Sequence, residues 1–420
     1  MRAFENHIQW PHVKEATRRL KEAGFEALLA GGCVRDLLMN REPNDFDIAT
    51  DATPDQVEAL FPRSLAVGKA FGVIILPHEG FQLEIATFRE DLEYKDGRRP
   101  EGVRFSTAEA DSKRRDFTVN ALFYDIDSDR IIDYVGGEAD IKKKTLRTVG
   151  DADKRFDEDK LRILRAVRFA AQLDFDIHPG TLEAILRRAP EVSVVSRERI
   201  RDELSKLLKT RSRLKGLGLL LSSGLVGVLF PELAEEIFKR ETKWLDSFHI
   251  ESIHVPTELT VSLALFVMPA ASKLGDRGLR EFLTKSLKLD NKQADAIVFS
   301  IKNLPSFLNP SQMRRGELAL LLSKPEAKTA LRVASVVARL DDSSISKETD
   351  REAYLAGLKA EIMPTGELPA PFLNGESAKV AGLKPGPTMG RLLNESYLLQ
   401  LEGKLRTAEE ALEWLKESSH

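Results

Sequence analysis

One cysteine in 420 residues, Cys33, excludes an intramolecular disulfide and any cysteine-rich zinc site. The seven histidines include no His-Asp dipeptide and no His-x-His pair, so a histidine-built metal centre has no support. No apolar run is read as long enough for a membrane span, and Met1 to Pro11 lacks a signal-peptide pattern. With neither, the cytoplasm is the expected compartment and no membrane partner is expected. A strong basic excess is also missing, because the formal net charge is −3. Hydrophobic residues at 42% and charged residues at 31% describe an ordinary folded chain, too long for one core and so expected to form several domains.

The charge is unevenly spread. From Lys142 to Lys215 there are 20 Lys and Arg against 12 Asp and Glu, which leaves −11 on the rest of the chain. A basic middle inside an acidic protein fits a polyanion site of limited extent, although solvated helix faces give the same pattern.

Residues 11 to 24 read as an amphipathic helix ending at Gly24. Short β-like runs then alternate with turns and short helices: Ala27–Leu29, Phe46–Ala49, Gly72–Leu76, Phe81–Phe88, Leu122–Ile126 and Ile131–Tyr134. Residues 89 to 105 are charged and turn-rich and read as a mobile loop. Beyond Gly150 the pattern turns helical, with Leu161, Leu164, Val167 and Ala171 at helical spacing. Helices are expected at 181–189, 197–210, 213–222, 256–268, 278–286, 290–302 and 327–340, with polar breaks at Ser343–Ser346 and Pro364–Pro371.

Three constellations carry chemistry. Gly31-Gly32-Cys33-Val34-Arg35-Asp36 opens a short helix, and its glycines let backbone N–H groups approach a phosphate. Asn44-Asp45-Phe46-Asp47-Ile48 follows, and on a strand Asp45 and Asp47 share a face. Such a hard-oxygen pair suits Mg2+, which takes one or two carboxylates plus substrate phosphates. Lys113 to Leu122 places Arg115, Asp116 and Asn120 within six residues, a group suited to gripping a nucleotide. Phe156 to Phe169 sets Asp159 and Arg162 three residues apart on a helix, with Arg165 and Arg168 continuing the row toward phosphates. Alone, that pair is also what a helix-stabilising ion pair looks like. As a base reader, its carboxylate accepts from an exocyclic amine and its guanidinium donates to ring acceptors. Cytosine and adenine share that edge, and guanine and uracil do not.

These segments, with QLEIATFRED, DGRRPEGVRF, IIDYVGGEADIKKKTLRTVGD and SRERIRDELSKLL, resemble the class II tRNA nucleotidyltransferases: the CCA-adding enzymes and bacterial poly(A) polymerases. The matching motifs span residues 28 to about 208. The resemblance implies an α+β chain: a polymerase-β-like head at 1–150, then an all-α neck at 151–210, body at 211–342 and tail at 343–420. It implies Asp45 and Asp47 as Mg2+ ligands, with Glu84 as the third acidic residue. Gly31, Gly32 and Arg35 would meet the nucleotide phosphates, and Arg115, Asp116 and Asn120 its ribose and phosphates. Asp159 and Arg162 would template the base. The expected substrates are CTP, ATP and the tRNA acceptor end. Gly382-Leu383-Lys384-Pro385-Gly386-Pro387 reads as a rigid turn between helices, similar to the C-terminal part of CCA-adding enzymes. The full-length loop at 89–105 favours complete CCA addition over CC-only, A-only or poly(A) synthesis. A retired scaffold that only binds RNA is disfavoured by the intact carboxylates.

Overall fold

The structure, a computed structural model, describes residues 4, 6–92, 102–254, 258–341 and 345–418. They fall into two compact units, Met1–Pro231 and Glu232–His420.

The first unit opens with helix α1 (Trp10–Glu22), whose Val13, Ala16, Thr17 and Leu20 are buried at helical spacing. Gly24, at φ 85°, ends it as a left-handed stop, with the Phe25 N–H returning to the Leu20 carbonyl. A seven-stranded mixed sheet follows, built from β1 (Ala27–Ala30), β2 (Asp47–Thr50), β3 (Leu65–Gly68), β4 (Val73–His78), β5 (Phe81–Thr87), β8 (Leu122–Asp125) and β9 (Arg130–Asp133). Its order is β3-β4-β5-β2-β1-β8-β9, and only β2 and β5 run parallel. Helix α2 (Gly32–Leu38) follows β1, and α3 (Pro54–Leu60) follows β2, started by a Thr53–Gln56 capping box. The six expected strands are present, with ends moved by one or two residues; β1, β2 and β8 are buried along nearly their whole length, and β4 and β5 bury alternate residues.

Residues 89 to 105 are not loop throughout. Their ends form a ribbon of β6 (Arg89–Asp91) and β7 (Val103–Phe105), joined by residues 93–101, which lie outside the described residues. Helix α4 (Ala108–Arg114) follows, then a single 3₁₀ turn over Thr118–Asn120. Helix α5 (Gly137–Lys142) comes after β9 and leads to short β10 (Thr145–Leu146). The unit continues as α6 (Ala152–Glu158), α7 (Leu161–Leu173), β11 (Asp176–Ile177), α8 (Pro179–Arg188), α9 (Arg197–Leu208) and α10 (Arg213–Ser222).

The second unit is helical from Pro231–Lys239 to Ala408–Glu417. One core gathers Phe307, Leu318, Ala334 and Leu358, and another Leu373, Ala378, Leu405 and Leu415. The turn at 381–386 joins helices Gly375–Val380 and Pro387–Leu401, as read from its prolines and glycines. The boundary expected at 342/343 lies outside the described residues. Leu259–Ser286 corrects the reading that no apolar stretch is long enough to span a membrane: by length and composition this one is. It is broken at Met268–Ala270 and at Gly275, and Val261–Val267 are buried in the unit's interior.

The Thr118–Asn120 turn is held from below. The Asp133 carboxylate accepts from the backbone N–H groups of Val135, Gly136, Gly137 and Glu138 at 2.8–3.1 Å, fixing the start of α5. Buried Asp140 then accepts from the Thr118 hydroxyl at 2.6 Å and from Arg147. A Cβ on Gly137 would fall inside the contact shell of the Thr118 carbonyl. Gly137→Ala is therefore expected to cost on the order of 1–3 kcal/mol by overpacking, read from the urea midpoint. An unchanged midpoint would show that the turn yields.

Candidate nucleotide site

The sheet delivers the carboxylates. Asp47 opens β2, directly opposite Glu84 of β5 in the parallel register, so their side chains share a face. Asp45 does not join them on the strand as expected. It precedes β2 in the exposed lead-in, because regular pairing begins only at Asp47. Burial pushes the Asp47 carboxyl up to about 7, with Asp45 and Glu84 adding repulsion and Arg115 opposing it. Among the described residues, no three His, Cys, Asp or Glu side chains close into a ready metal cage. An open edge with surplus negative charge fits a hard cation that keeps waters and substrate oxygens as further ligands, as Mg2+ does.

The turn after β1 sits beside this edge. Gly31 has φ 73°, which favours glycine, and a Cβ there would stand 2.9 Å from Arg115 Nη1 and displace that guanidinium. Buried Arg35 donates to Asn120 Oδ1 at 2.6 Å and pairs with Asp36 at 2.8 Å. Arg115 is fixed by Asp111 at 2.9 Å, by the Asn120 carbonyl and by the Phe123 ring. Burial alone would raise the Asp111 carboxyl, but Arg115 and Arg114 hold it below the usual range.

A cavity of about 460 Å3 unites these groups with the helices downstream. Its walls include Gly31, Gly32, Arg35 and Asp47 from the sheet side, and Arg115, Asp116 and Asn120 from the second motif. Asp159, from the break after α6, and Arg162 and Arg165 of α7 close it. Asp45, Glu84 and Arg168 are not in its lining. Arg168 does not continue the row into the cavity, because its guanidinium is buried against Glu203 and Gln172.

The pair expected to read the base also differs from expectation. Asp159 and Arg162 are not one turn apart on a single helix. Asp159 sits at φ −152° in the break between α6 and α7, where its carboxylate accepts from the Leu161 N–H at 3.0 Å. Its ion partner is Arg199 of α9, through two bonds of 3.1 and 2.5 Å. Arg162 pairs instead with Glu158 and donates to the Arg155 carbonyl. Sequence reading missed Arg199, although SRERIRDELSKLL was among the matched segments. It also missed Phe169, whose ring lies 5.2 Å from the Arg165 guanidinium. Nothing local links residue 199 to 159, since the pairing exists only once α9 packs on α7.

Asp116 fastens the two halves of the cavity. It accepts from Arg165 at 2.6 and 3.0 Å, from the Phe117 N–H and from Asn120. Burial alone would raise its pKa, and Arg165, then Arg162, bring it below the usual range. A depressed carboxyl adds stability above the ordinary carboxyl pKa, and that stability is lost as pH falls through the depressed value. Arg165→Met strands the buried Asp116 charge, at an expected cost of about 2 kcal/mol or more at neutral pH. The deficit against wild type should shrink in acid, as urea unfolding at neutral and acid pH will read. A deficit that does not change with pH would deny the pair this role.

Residues 27–147 match the model of the poly A polymerase head domain, and 174–237 match that of the probable RNA and SrmB- binding site of polymerase A. The chain is 47% identical to the CCA-adding enzyme of Bacillus licheniformis over 209 residues, 50% of this chain and 52% of that one. It is 35% identical to that of Geobacillus thermodenitrificans over 421 residues, covering 96% and 95% of the two chains. The structure matches the Bacillus stearothermophilus CCA-adding enzyme solved with CTP, at TM-score 0.80 and 28% identity over 99% and 98% of the chains. It shares the fold of the Thermotoga maritima CCA-adding enzyme solved with tRNA, at TM-score 0.65 and 23% identity over 98% and 95%. With a relative 35% identical along nearly its whole length, the chain belongs to the family of CCA-adding enzymes, tRNA nucleotidyltransferases with a poly(A)-polymerase-type head.

Proposed function

We propose that this chain adds the 3′-terminal CCA of tRNA from CTP and ATP without a nucleic-acid template. The observation that carries this reading is the single cavity joining a carboxylate edge, a row of guanidinium groups and the Asp159 site. In the reaction, the RNA 3′-oxygen attacks the α-phosphorus, the new P–O bond forms, and the bond to the β-phosphate breaks to release pyrophosphate. Asp45 and Asp47, with Glu84 beside them, would hold Mg2+, which supplies Lewis-acid stabilisation of the attacking and leaving oxygens. Arg35, Arg115 and the Gly31–Gly32 turn face the triphosphate, and Asn120 the ribose. Asp116 serves as the fastening between the turn and α7 more than as a nucleotide ligand, because both its oxygens are engaged.

Asp159 has about four acceptor positions. Arg199 takes two and the Leu161 N–H a third, which leaves one on Oδ2 for an exocyclic amine. Cytosine and adenine offer that amine. Arg162 is beside it with donors for the ring acceptors, once drawn from Glu158. In this reading residues 1–150 form the head, 151–210 the neck that reads the base, and 211–342 and 343–420 the body and tail that grip the tRNA by its shape. The proposed setting is the cytoplasm.

Two assays test this. Supplied with tRNA transcripts lacking CCA, CA or A, the wild type is expected to complete each end and stop, and Asp47→Ala to incorporate neither nucleotide while still binding tRNA. Long adenosine tracts on unstructured RNA would instead favour a poly(A) polymerase. A halt after CC would mark a CC-adding enzyme. Near-normal activity of Asp47→Ala would remove the carboxylate assignment.

The second assay measures all four nucleotides with Arg162→Ala and Arg199→Ala. Each is expected to lose about 1–3 kcal/mol of preference for CTP and ATP over UTP and GTP, the worth of a bidentate base contact. Unchanged selectivity in both would reduce Asp159, Arg162 and Arg199 to structural ion pairs.

A further inference from the structure

A second cavity, of about 430 Å3, lies between α1, the segment after α3 and the end of β4. It shares no lining residue with the nucleotide site. Its volume falls in the range of small-molecule sites.

His12 and His78 are in its lining, and Phe81, outside the lining, packs against both. His12 of α1 stands 4.3 Å from His78 of β4, and His78 stacks on Phe81 of β5 at 4.9 Å and 16°. His12 closes the triangle with Phe81 at 5.3 Å. Burial, then the charge of His12, holds His78 below the usual imidazole range, so its ring is neutral near neutral pH and suited to stacking. Arg19, on the same helix as His12, and Arg63 bring cations to the lining. Arg19 lies over the Phe61 ring at 4.6 Å, held by the Leu60 carbonyl. Arg63 is exposed and has no partner among the described residues. The one carboxylate at the cavity, Glu15, is bound to Arg18 at 2.8 Å. Imidazole rings and unspent positive charge in the lining of one space of this size suit a planar ring that carries an anion.

We propose that this cavity binds a nucleoside monophosphate unit, its base stacked on the His78 ring, which Phe81 supports, and its phosphate met by Arg63 and Arg19. The unit comes from a free nucleotide or from a single-stranded stretch of RNA, where base–aromatic stacking and a cationic groove are the usual recognition elements. This site goes beyond the proposed transfer reaction and does not depend on it.

The test uses the full chain. AMP is titrated by calorimetry and equilibrium dialysis against wild type, Arg63→Ser and His78→Ser. A short unstructured oligoadenylate is titrated in parallel. If the free nucleotide is the ligand, wild type binds one more AMP per chain than either variant, with CCA addition unchanged. If RNA is the source, AMP binding is the same in all three proteins, and the oligonucleotide weakens about fivefold or more in His78→Ser, the lower end of losing one base–aromatic stack, and weakens also in Arg63→Ser. Equal AMP binding in all three proteins with unchanged oligonucleotide affinity overturns the proposal. Arg63 is on the surface, so Arg63→Ser keeps the test alive if His78→Ser fails to fold.

Discussion

The ion pair between Asp116 and Arg165 is the contact on which the site's geometry rests. Asp116 belongs to the turn that leads from α4 into the Thr118–Asn120 loop, and Arg165 to α7. One carboxylate thereby fixes Asn120, the Phe117 backbone and helix α7, which follows Asp159. Asn120 in turn fixes Arg35, and its carbonyl fixes Arg115. The chain of contacts runs from the glycine turn after β1 to the far wall of the cavity. A buried charge in such a chain is costly to strand, which makes the arrangement specific as well as stable.

The opposite electrical situation prevails at the sheet edge. There Asp47 faces Glu84 with Asp45 nearby, and only Arg115 opposes them. The protein has satisfied the guanidinium groups around the cavity with carboxylates of its own, yet left this carboxylate edge in excess. That imbalance is what a site does when the missing charge arrives with the substrate and its cation. The basic middle of the chain shows the reverse economy. Arg155, Lys160, Arg187 and Arg188 are paired with Glu158, Asp157, Asp153 and Glu191, so part of the local positive excess is spent within the fold.

Much of this was legible in the residues. Alternating apolar runs gave six strands within a residue or two, because strand burial follows side-chain identity closely. The edge strand β3 went unseen: Leu65 and Val67 are exposed, and only pairing with β4 makes the segment a strand. Arg168 was misread because spacing along a helix does not tell which side its neighbours occupy. In α7, buried residues lie on all sides, and the 168 position faces Glu203 of α9.

The sequence by itself determined the donor types and their order: the glycine turn, the carboxylates, the Arg115–Asn120 group, and Asp159 with Arg162. These are local, and the chemistry they permit follows from their side chains. Tertiary structure decided which of them are partners. It set Glu84 opposite Asp47 through a parallel pairing between strands that are not neighbours in sequence. It gave Asp159 to Arg199 rather than to Arg162, because a break between α6 and α7 ends the helical spacing and α9 packs close enough to offer a guanidinium. Such choices depend on packing between elements dozens of residues apart, where local spacing carries no information about distance.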